Sequence, residues 1–277
     1  MNSGTSSISE LIALRYGEET PATGGLDNEV LKTLLAYKSA RHYLDKPLPN
    51  GTLETLVAAA QSAATSSNLQ TWSVIALEES ARKAEAATLC GDQDFIRHAP
   101  LFLVFCADLA RLTRVSEEAG MPGEGLDYLE MFLMATIDAS LAAQNAAIAA
   151  ESLGLGICYV GAARNKPREL ADLLHLPSRV FALFGMTVGW PSAEDTTTVK
   201  PRLPQPEMLH HETYSAVDSL RWVARYDTEM QQFYEAQQMS GAGDWSSRSA
   251  KRVATLESLN GRHILRQILQ ENGFGLK

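Results

Sequence analysis

The sequence predicts an α+β protein built as one domain, with a C-terminal extension that wraps over a surface. Three observations carry this. Four runs of strand length are rich in β-branched and aromatic residues: WSVIAL (72–77), LFLVFCA (101–107), LGICYV (155–160) and FALFGMTVGW (181–190). Before and between them, apolar residues recur at helical spacing. After about residue 200 the chain turns proline-rich, and KPRLPQPEMLHHETY holds too many prolines for a regular element. At 277 residues the chain is long enough to bury roughly 75 % of its unfolded surface in one or two cores.

The elements follow in order. Ile8 to Arg15 is a short amphipathic piece, and Thr20 to Gly25 (TPATGG) reads as a linker or turn. From Asn28, Val30, Leu31, Leu34 and Leu35 form one stripe of a helix. Two prolines in KSARHYLDKPLP (38–49) break it, and a second helix opens at Asn50-Gly51 and runs to about Ala63. Glu79 to Leu89 is helical between the first two strands, and GDQDFIRHAP (91–100) is a loop into the second. A long Ala-rich helix spans Asp127 to Leu153 and stops at Gly154, a residue suited to ending helices. Lys166 to Leu174 starts with Pro167 in the first turn. Two more helices are expected, about Asp218 to Gln238 and about Lys251 to Asn272, separated by the Gly/Ser segment MSGAGDWSS.

Composition excludes several classes. Lysine and arginine total 24 against 33 aspartates and glutamates, a net charge of −9, and no basic run offers a local patch for nucleic acid. Cys90, Cys106 and Cys158 are widely spaced and lack a CxxC pair, so a disulfide scaffold and a cysteine-rich zinc site are both excluded. That pattern points to a reducing cytoplasm. The first residues show no basic start followed by an apolar run, so no signal peptide is expected. Met131 to Leu153 is long enough to ask about a membrane, but Asp138, Gln144, Asn145 and Glu151 would be costly in lipid. A helix buried in a protein core is the expectation, with no membrane partner.

The usual catalytic sets are missing. Six histidines (42, 98, 175, 210, 211 and 263) are scattered without metal-ligand spacing, and neighbours such as His210-His211 do not share a helix face, so no metal is expected. There is no GxSxG elbow, no phosphate loop of the GxxxxGK[ST] type and no GxGxxG after a strand. What remains are small polar and basic clusters beside element ends: Lys38-Ser39-Ala40-Arg41, Thr65 to Gln70, Asp92 to Phe95, Tyr159 to Ala162, and Lys200-Pro201-Arg202. Basic groups with hydroxyls suit a phosphate, and glutamine with main chain beside glycine suits the edge of a heteroaromatic ring. Each cluster taken singly serves equally well as a cap, a surface ion pair or a turn.

Together these clusters resemble the nitroreductase/flavin reductase superfamily. KSARHYLDKPLP is similar to its HRSIRxFTDxPI opening, and ATSSNLQTWSVI to its Ser-rich loop and first strand. AAQNAAIAAESLGLGICYVGAARN resembles AQNxxIAAESxGLGxxYIGGxRN, FGMTVGWP resembles FGLxLGxP, and KPRLPQPEMLHHETY resembles KPRLPxxxxxHExxY. The ordered match starts at about residue 28 and looks most like the oxygen-insensitive NAD(P)H-dependent FMN nitroreductase branch. It implies a three-layer sandwich with a central, mostly antiparallel sheet flanked by helices, in an intertwined homodimer with a C-terminal wrapping extension. It divides the chain into an N-terminal extension (1–28), an FMN-binding core (29–200), and a wrapping arm with helices (201–277) belonging to the same domain.

The resemblance also implies roles. Tyr37, Lys38, Ser39 and Arg41 align with the residues that hold the phosphate, ribityl and pyrimidine end of FMN, and Lys200 and Arg202 with further positive charge at the phosphate. Thr65, Ser66, Ser67 and Gln70 match the Ser-rich loop near the flavin. Gln93 matches a residue that reaches its polar edge, and Tyr159, Val160, Gly161 and Ala162 match the turn along the isoalloxazine. No protein group is implied as catalytic: the chemistry belongs to flavin N5, with Arg41 and Gly161 the nearest groups. NADPH or NADH would deliver hydride, and nitroaromatics, quinones or free flavin would take it up in a ping-pong scheme.

Departures from the family pattern modify this picture. Tyr37 stands for His, and Lys38 for Arg, so a bidentate fork becomes a point charge. Ala162 replaces a second glycine, which suits it only to a backbone without positive φ. Gln237 and MSGAGDWSS stand where NADPH-preferring members carry basic residues, with Arg248, Lys251 and Arg252 nearby, so the nucleotide preference stays open. Three further readings remain: a reductase that supplies reduced FMN to a monooxygenase, a flavin-binding protein with slow turnover, and a helical interaction protein without cofactor.

Overall fold

Local signals start the first helices. Ser7 and Glu10 form a reciprocal capping box: the Ser7 hydroxyl accepts the Glu10 N–H, and the Glu10 carboxylate accepts the Ser7 N–H at 2.7 Å. That opens α1 (Ile8–Tyr16). Asn28 caps α2 (Glu29–Ala36) by accepting the Leu31 N–H at 2.9 Å. The computed structural model describes residues 6–17, 25–239 and 243–277, so most of the expected turn at 20–25 and part of MSGAGDWSS lie outside the described residues.

The remaining elements are α3 (Thr52–Gln61), β1 (Trp72–Leu77), α4 (Ser80–Leu89), α5 (Asp94–His98), β2 (Leu101–Asp108), α6 (Ala110–Glu118), α7 (Leu129–Ser152), β3 (Gly156–Val160), α8 (Pro167–Leu174), β4 (Val180–Gly189), α9 (Gln205–Met208), α10 (Ser219–Ala236), α11 (Trp245–Arg252) and α12 (Leu265–Glu271). Several differ from the sequence expectation. The 91–100 loop contains α5, which follows a turn made by Gly91 and Asp92 at positive φ. The proline-rich stretch holds one short turn of helix, α9, with Pro206 in its first turn, a position that needs no N–H donor. The single helix expected over 251–272 is two, α11 and α12. Asn260 and Gly261 lie between them at φ 52° and 80°, the left-handed region that a right-handed helix cannot pass through.

The chain forms two compact units, residues 1–38 with 196–259 and residues 39–195 with 260–277. The larger carries a four-stranded sheet in the order β1-β2-β4-β3, every pair antiparallel. All eight residues of β2 are buried, which requires cover on both faces. Phe102, Val104 and Cys106 pack with Ala86 and Ala87 of α4, Ile96 of α5, and Leu170 and Leu174 of α8. Alternate β2 residues point to the opposite face, where α7 lies. Helices thus flank an antiparallel sheet in three layers.

Small side chains let α7 pack closely. Ala135, Ala139, Ala142, Ala143, Ala146, Ala147 and Ala150 are buried on one side, against the sheet and α3. The helix is long and apolar enough to meet the length and composition of a membrane span, but its buried side also carries Asp138. Its other side exposes Leu129, Leu133, Ile137 and Leu141 at 43–57 %, a stripe with a four-residue repeat.

The smaller unit contains α1, α2, α9, α10 and α11. Its centre is Tyr226, Met230 and Tyr234 of α10, with Leu203, Phe233 and Trp245 packed against them. Ile8, Leu11 and Arg15 form the buried face of α1, spaced three and four residues apart.

Candidate functional site

In the larger unit, Ser39–Arg41 runs beside β3. Ser39 pairs in parallel with Ile157, and the Ala40 N–H donates to the Ile157 carbonyl at 2.9 Å. Gly156 makes this approach possible, since a Cβ there would lie 2.6 Å from the Ala40 Cβ and 2.8 Å from Pro191. Asp195 fixes the next turn by accepting the Arg41 N–H at 2.7 Å, and the Arg41 side chain is left exposed. Burial pushes the Cys158 thiol up, against opposing pulls from the Arg41 guanidinium and the Ser39 hydroxyl. Tyr43 locks the segment from the other side: its phenol meets the Ala40 carbonyl and Thr187 Oγ1, each at 2.7 Å, and burial raises its pKa.

Beyond Cys158 the strand delivers Tyr159, Val160, Gly161 and Ala162. The Tyr159 ring stacks edge-on against Phe184 at 5.7 Å, Val160 is buried, and Gly161 opens a turn of 3-10 helix. Among the described residues a Cβ at Gly161 would meet only the end of the Arg164 side chain, at 3.6 Å, an ordinary contact with no main chain pressed against the position. Ala162 has no positive φ, which is why alanine is accommodated in place of glycine. Gln93 comes to the same corner. A Cβ on Gly91 would lie 3.6 Å from the Ala162 Cβ and 3.7 Å from Gln93 Nε2, and that amide donates to the Cys90 carbonyl at 3.0 Å.

The Ser-rich loop is a strained piece of main chain. Ser67, Asn68 and Gln70 have φ of 50°, 57° and 50°, and three such non-glycine residues so close together persist only where surroundings hold them. Two residues do so. Asp138, 1 % exposed, accepts the Ser66 N–H with one carboxyl oxygen and the Thr71 N–H and hydroxyl with the other. Arg111 donates to the Gln70 carbonyl at 2.5 Å, to the Trp72 carbonyl and to the Ser73 hydroxyl. Thr65, Ser66, Ser67 and Gln70 precede edge strand β1, whereas Tyr159–Ala162 leave edge strand β3. The two sets sit at opposite edges of the sheet, with β2 and β4 between them, a spread of about 14 Å at ordinary strand spacing.

In the smaller unit, Tyr37 follows α2, and Lys38 donates from its ammonium to the Thr197 carbonyl at 2.7 Å. Lys200 and Arg202 are both exposed. The Lys200 ammonium lies 5.9 Å from the centre of the Phe233 ring, and the Arg202 side chain donates to the neighbouring Lys200 and Pro201 carbonyls at 3.3 and 3.1 Å. Gln237 ends α10, and the Arg248 guanidinium lies over the Tyr234 ring at 5.0 Å. His210 bonds locally, its Nδ1 accepting the Ser215 N–H, and its ring lies 4.5 Å from that of Tyr214. Among the described residues no group of His, Cys, Asp and Glu has the makings of a metal site.

Asp138, Arg111, Asp195 and Arg15 have roles that sequence reasoning missed. The first three hold candidate site segments by main-chain bonds, which leave no local spacing to read. For Arg15 the available signal is the S-x-x-E spacing at Ser7–Glu10, which marks the start of its helix but not its partners.

Comparison with known proteins agrees with this architecture. Residues 36–190 match the nitroreductase family, and residues 200–277 match the nitroreductase family C-terminal domain. The chain therefore belongs to the nitroreductase family. It is 36 % identical over 252 residues to an FMN reductase (NADPH) of Bacillus subtilis, covering 89 % of this chain and 98 % of that protein. It is 34 % identical to an oxygen-insensitive NADPH nitroreductase of Salmonella typhimurium, covering 87 % and 92 % of the two chains. Among solved structures, NADPH:FMN oxidoreductase from Vibrio harveyi, complexed with NAD+, superposes with a TM-score of 0.80 at 31 % identity, covering 90 % of this chain and all of that one.

Proposed function

We propose that the chain is an FMN-dependent NAD(P)H oxidoreductase that reduces nitroaromatic, quinone or flavin acceptors as a cytoplasmic homodimer. The observation that carries this reading is the edge of β3. There Ser39 and Ala40 are laid against Ile157, and Gly161 presents main chain that only the end of the Arg164 side chain approaches among the described residues. The donor set fits FMN: hydroxyls and cations for its phosphate and ribityl chain, and main chain with an amide for a flat ring. Bound FMN supplies a two-electron carrier that NAD(P)H reduces and an acceptor reoxidises in a ping-pong cycle.

The chain's own residues bind and orient. Lys38, Lys200 and Arg202 supply positive charge for the phosphate, and Tyr37 and Ser39 flank Lys38 in the same run. Arg41 holds a fixed positive charge for the pyrimidine end, where negative charge develops on reduction. Tyr159, Val160, Gly161 and Ala162 provide the wall beside the ring, and Gln93 its amide. Thr65, Ser66, Ser67 and Gln70 lie at the far edge of the sheet, so a single flavin site using both sets draws this loop from a second copy. The exposed stripe Leu129, Leu133, Ile137 and Leu141 gives that copy an apolar face to cover.

The test is spectroscopic. Purified protein should show a bound-flavin absorbance that bleaches when NADH or NADPH is added without oxygen, and the two bleaching rates give the nucleotide preference. No bound flavin after FMN is added back would overturn the reading. Double-reciprocal plots with both substrates varied should be parallel, and intersecting lines would remove the ping-pong cycle. One observation favours a second reading, a reductase that releases reduced FMN to a monooxygenase. Lys38 offers a point charge instead of a fork, and its ammonium already bonds the Thr197 carbonyl. A slow-turnover flavin-binding protein would hold flavin that NAD(P)H fails to bleach.

A further inference from the structure

Arg15 lies on α1, ahead of the range that matches the family, and it is 5 % exposed although it carries a charge. A buried guanidinium is costly unless its N–H groups are satisfied, so its partners reveal its task. Its Nε and one Nη donate to the Leu35 carbonyl at 3.2 and 2.9 Å, that Nη also reaches the Tyr37 carbonyl at 2.6 Å, and the other Nη donates to the Lys200 carbonyl at 2.9 Å. Its own main-chain carbonyl accepts the Arg202 N–H at 2.8 Å.

These contacts share a pattern. The Tyr37 carbonyl belongs to the peptide bond that leads into Lys38. The Lys200 carbonyl and the Arg202 N–H bracket Pro201, whose ring already fixes one torsion of that short run. Each of the three cations assigned to the phosphate thus has a peptide group bonded to this one residue. The Leu35 carbonyl is one of those left unpaired at the end of α2, and α2 has no basic residue in its last turn. Arg15 supplies that cation from another helix, as a planar fork suited to several carbonyls at once.

We propose that Arg15 is a positioning residue for the phosphate-binding cations, setting the main-chain placement of Lys38, Lys200 and Arg202 so that the protein prefers FMN to riboflavin. The inference rests on the FMN reading above. It assigns a function to an N-terminal helix that carries none of the family's motifs. Among the described residues the Arg15 side chain donates to the Leu35, Tyr37 and Lys200 carbonyls, so its effect reaches Lys38 and Lys200 directly and Arg202 through the Lys200-Pro201 peptide next to it.

Flavin discrimination separates positioning from general structural support, because riboflavin lacks only the phosphate. The experiment measures dissociation constants of FMN and riboflavin by fluorescence quenching for wild-type full-length protein, Arg15→Met and Arg15→Lys, with a thermal melt of each. Arg15→Met should weaken FMN by about tenfold or more while riboflavin affinity changes by less than about twofold. Arg15→Lys keeps the charge but cannot span all three carbonyls, so its loss of FMN preference should be intermediate. If Arg15→Met does not fold, the lysine variant alone decides, its preference for FMN either reduced or at the wild-type level. Equal losses for both flavins, or an unchanged ratio, would overturn the positioning role. Wild-type protein that binds neither flavin would instead overturn the FMN reading beneath it.

Discussion

Asp138 and Thr71 meet through a single carboxyl oxygen, which accepts the Thr71 main-chain N–H at 3.1 Å and its hydroxyl at 2.9 Å. The other oxygen takes the Ser66 N–H at 3.1 Å, so one side chain in the middle of α7 closes the Ser-rich loop like a staple. The loop's three left-handed residues need such a restraint. Asp138→Ala would leave buried donors unsatisfied and should cost roughly 2–4 kcal/mol in urea unfolding. Asp138→Asn keeps one carbonyl oxygen and should cost less. If this loop serves the flavin, both variants should also lose FMN affinity. An alanine variant as stable as wild type would show that the loop holds its shape without the staple.

Arg202 offers the cleanest test of the phosphate assignment. Its main-chain N–H is bound by the Arg15 carbonyl, whereas its side chain is exposed and donates to the neighbouring Lys200 and Pro201 carbonyls. Arg202→Ala therefore keeps the backbone anchor and removes the charge. FMN retention should weaken by about 1.5–3 kcal/mol, the usual worth of a charged hydrogen bond, with the melting temperature nearly unchanged. Flavin content measured after dialysis checks this, and full retention would remove Arg202 from the site.

How far the sequence revealed these arrangements depends on where each signal resides. Trp72–Leu77 was legible to the residue because its β-branched and aromatic run is a local property. The division of 251–272 into α11 and α12 was also written locally, in the Asn260-Gly261 turn pair, but the apolar spacing on either side outweighed it. α6 (ARLTRVSEE) gave no such stripe, since Ala110 alone among its residues is buried. The candidate flavin residues were legible as ordered motifs. Their supports were not: Asp138, Arg111 and Arg15 act on main chain 20 to 185 residues away, and a lone charged residue in a helix carries no sign of such a partner. A similar asymmetry applies to the sheet. Sequence order does not disclose that β1 and β3 are its two edges, and hence that the Ser-rich loop and the Tyr159–Ala162 turn stand apart.

The three cysteines should be inert. All are buried, and desolvation pushes the Cys90 and Cys106 thiols up to about 12, with Cys158 also raised. Near pH 8 that leaves only about one Cys90 or Cys106 thiol in ten thousand ionised, the same direction lowers the fraction for Cys158, and the thiolate is the reactive form. Native protein should therefore give almost no reaction with a disulfide reagent over minutes and lose no activity, while denaturant should release three equivalents of thiol. Rapid labelling of one thiol in the native state, with loss of flavin or activity, would give that cysteine a part in the site.

The last residue of the chain closes an acid-sensitive clasp. Asp127, just ahead of α7, pairs with the Lys277 ammonium at 3.0 Å and with the Arg179 guanidinium at 2.6 Å, and main-chain bonds tie Lys277 to both Asp127 and Leu129. The Lys277 hydrogen bond, with help from the Arg179 charge, holds the Asp127 carboxyl below its ordinary value of 3.8. Because the folded value is the lower one, the unfolded chain binds the proton first. The clasp thus contributes in full above the ordinary value, and its contribution fades as pH falls through the depressed folded value. Urea midpoints taken from about pH 6 down to about pH 2.5 should decline in wild type. Asp127→Asn should start from a lower midpoint at neutral pH and decline less steeply, since it has no proton to take up there. The cations contribute no sensitivity of their own in this range, because lysine and arginine stay charged throughout. Parallel pH profiles for the two proteins would show that other carboxylates set the acid limit and that the clasp is only a surface contact.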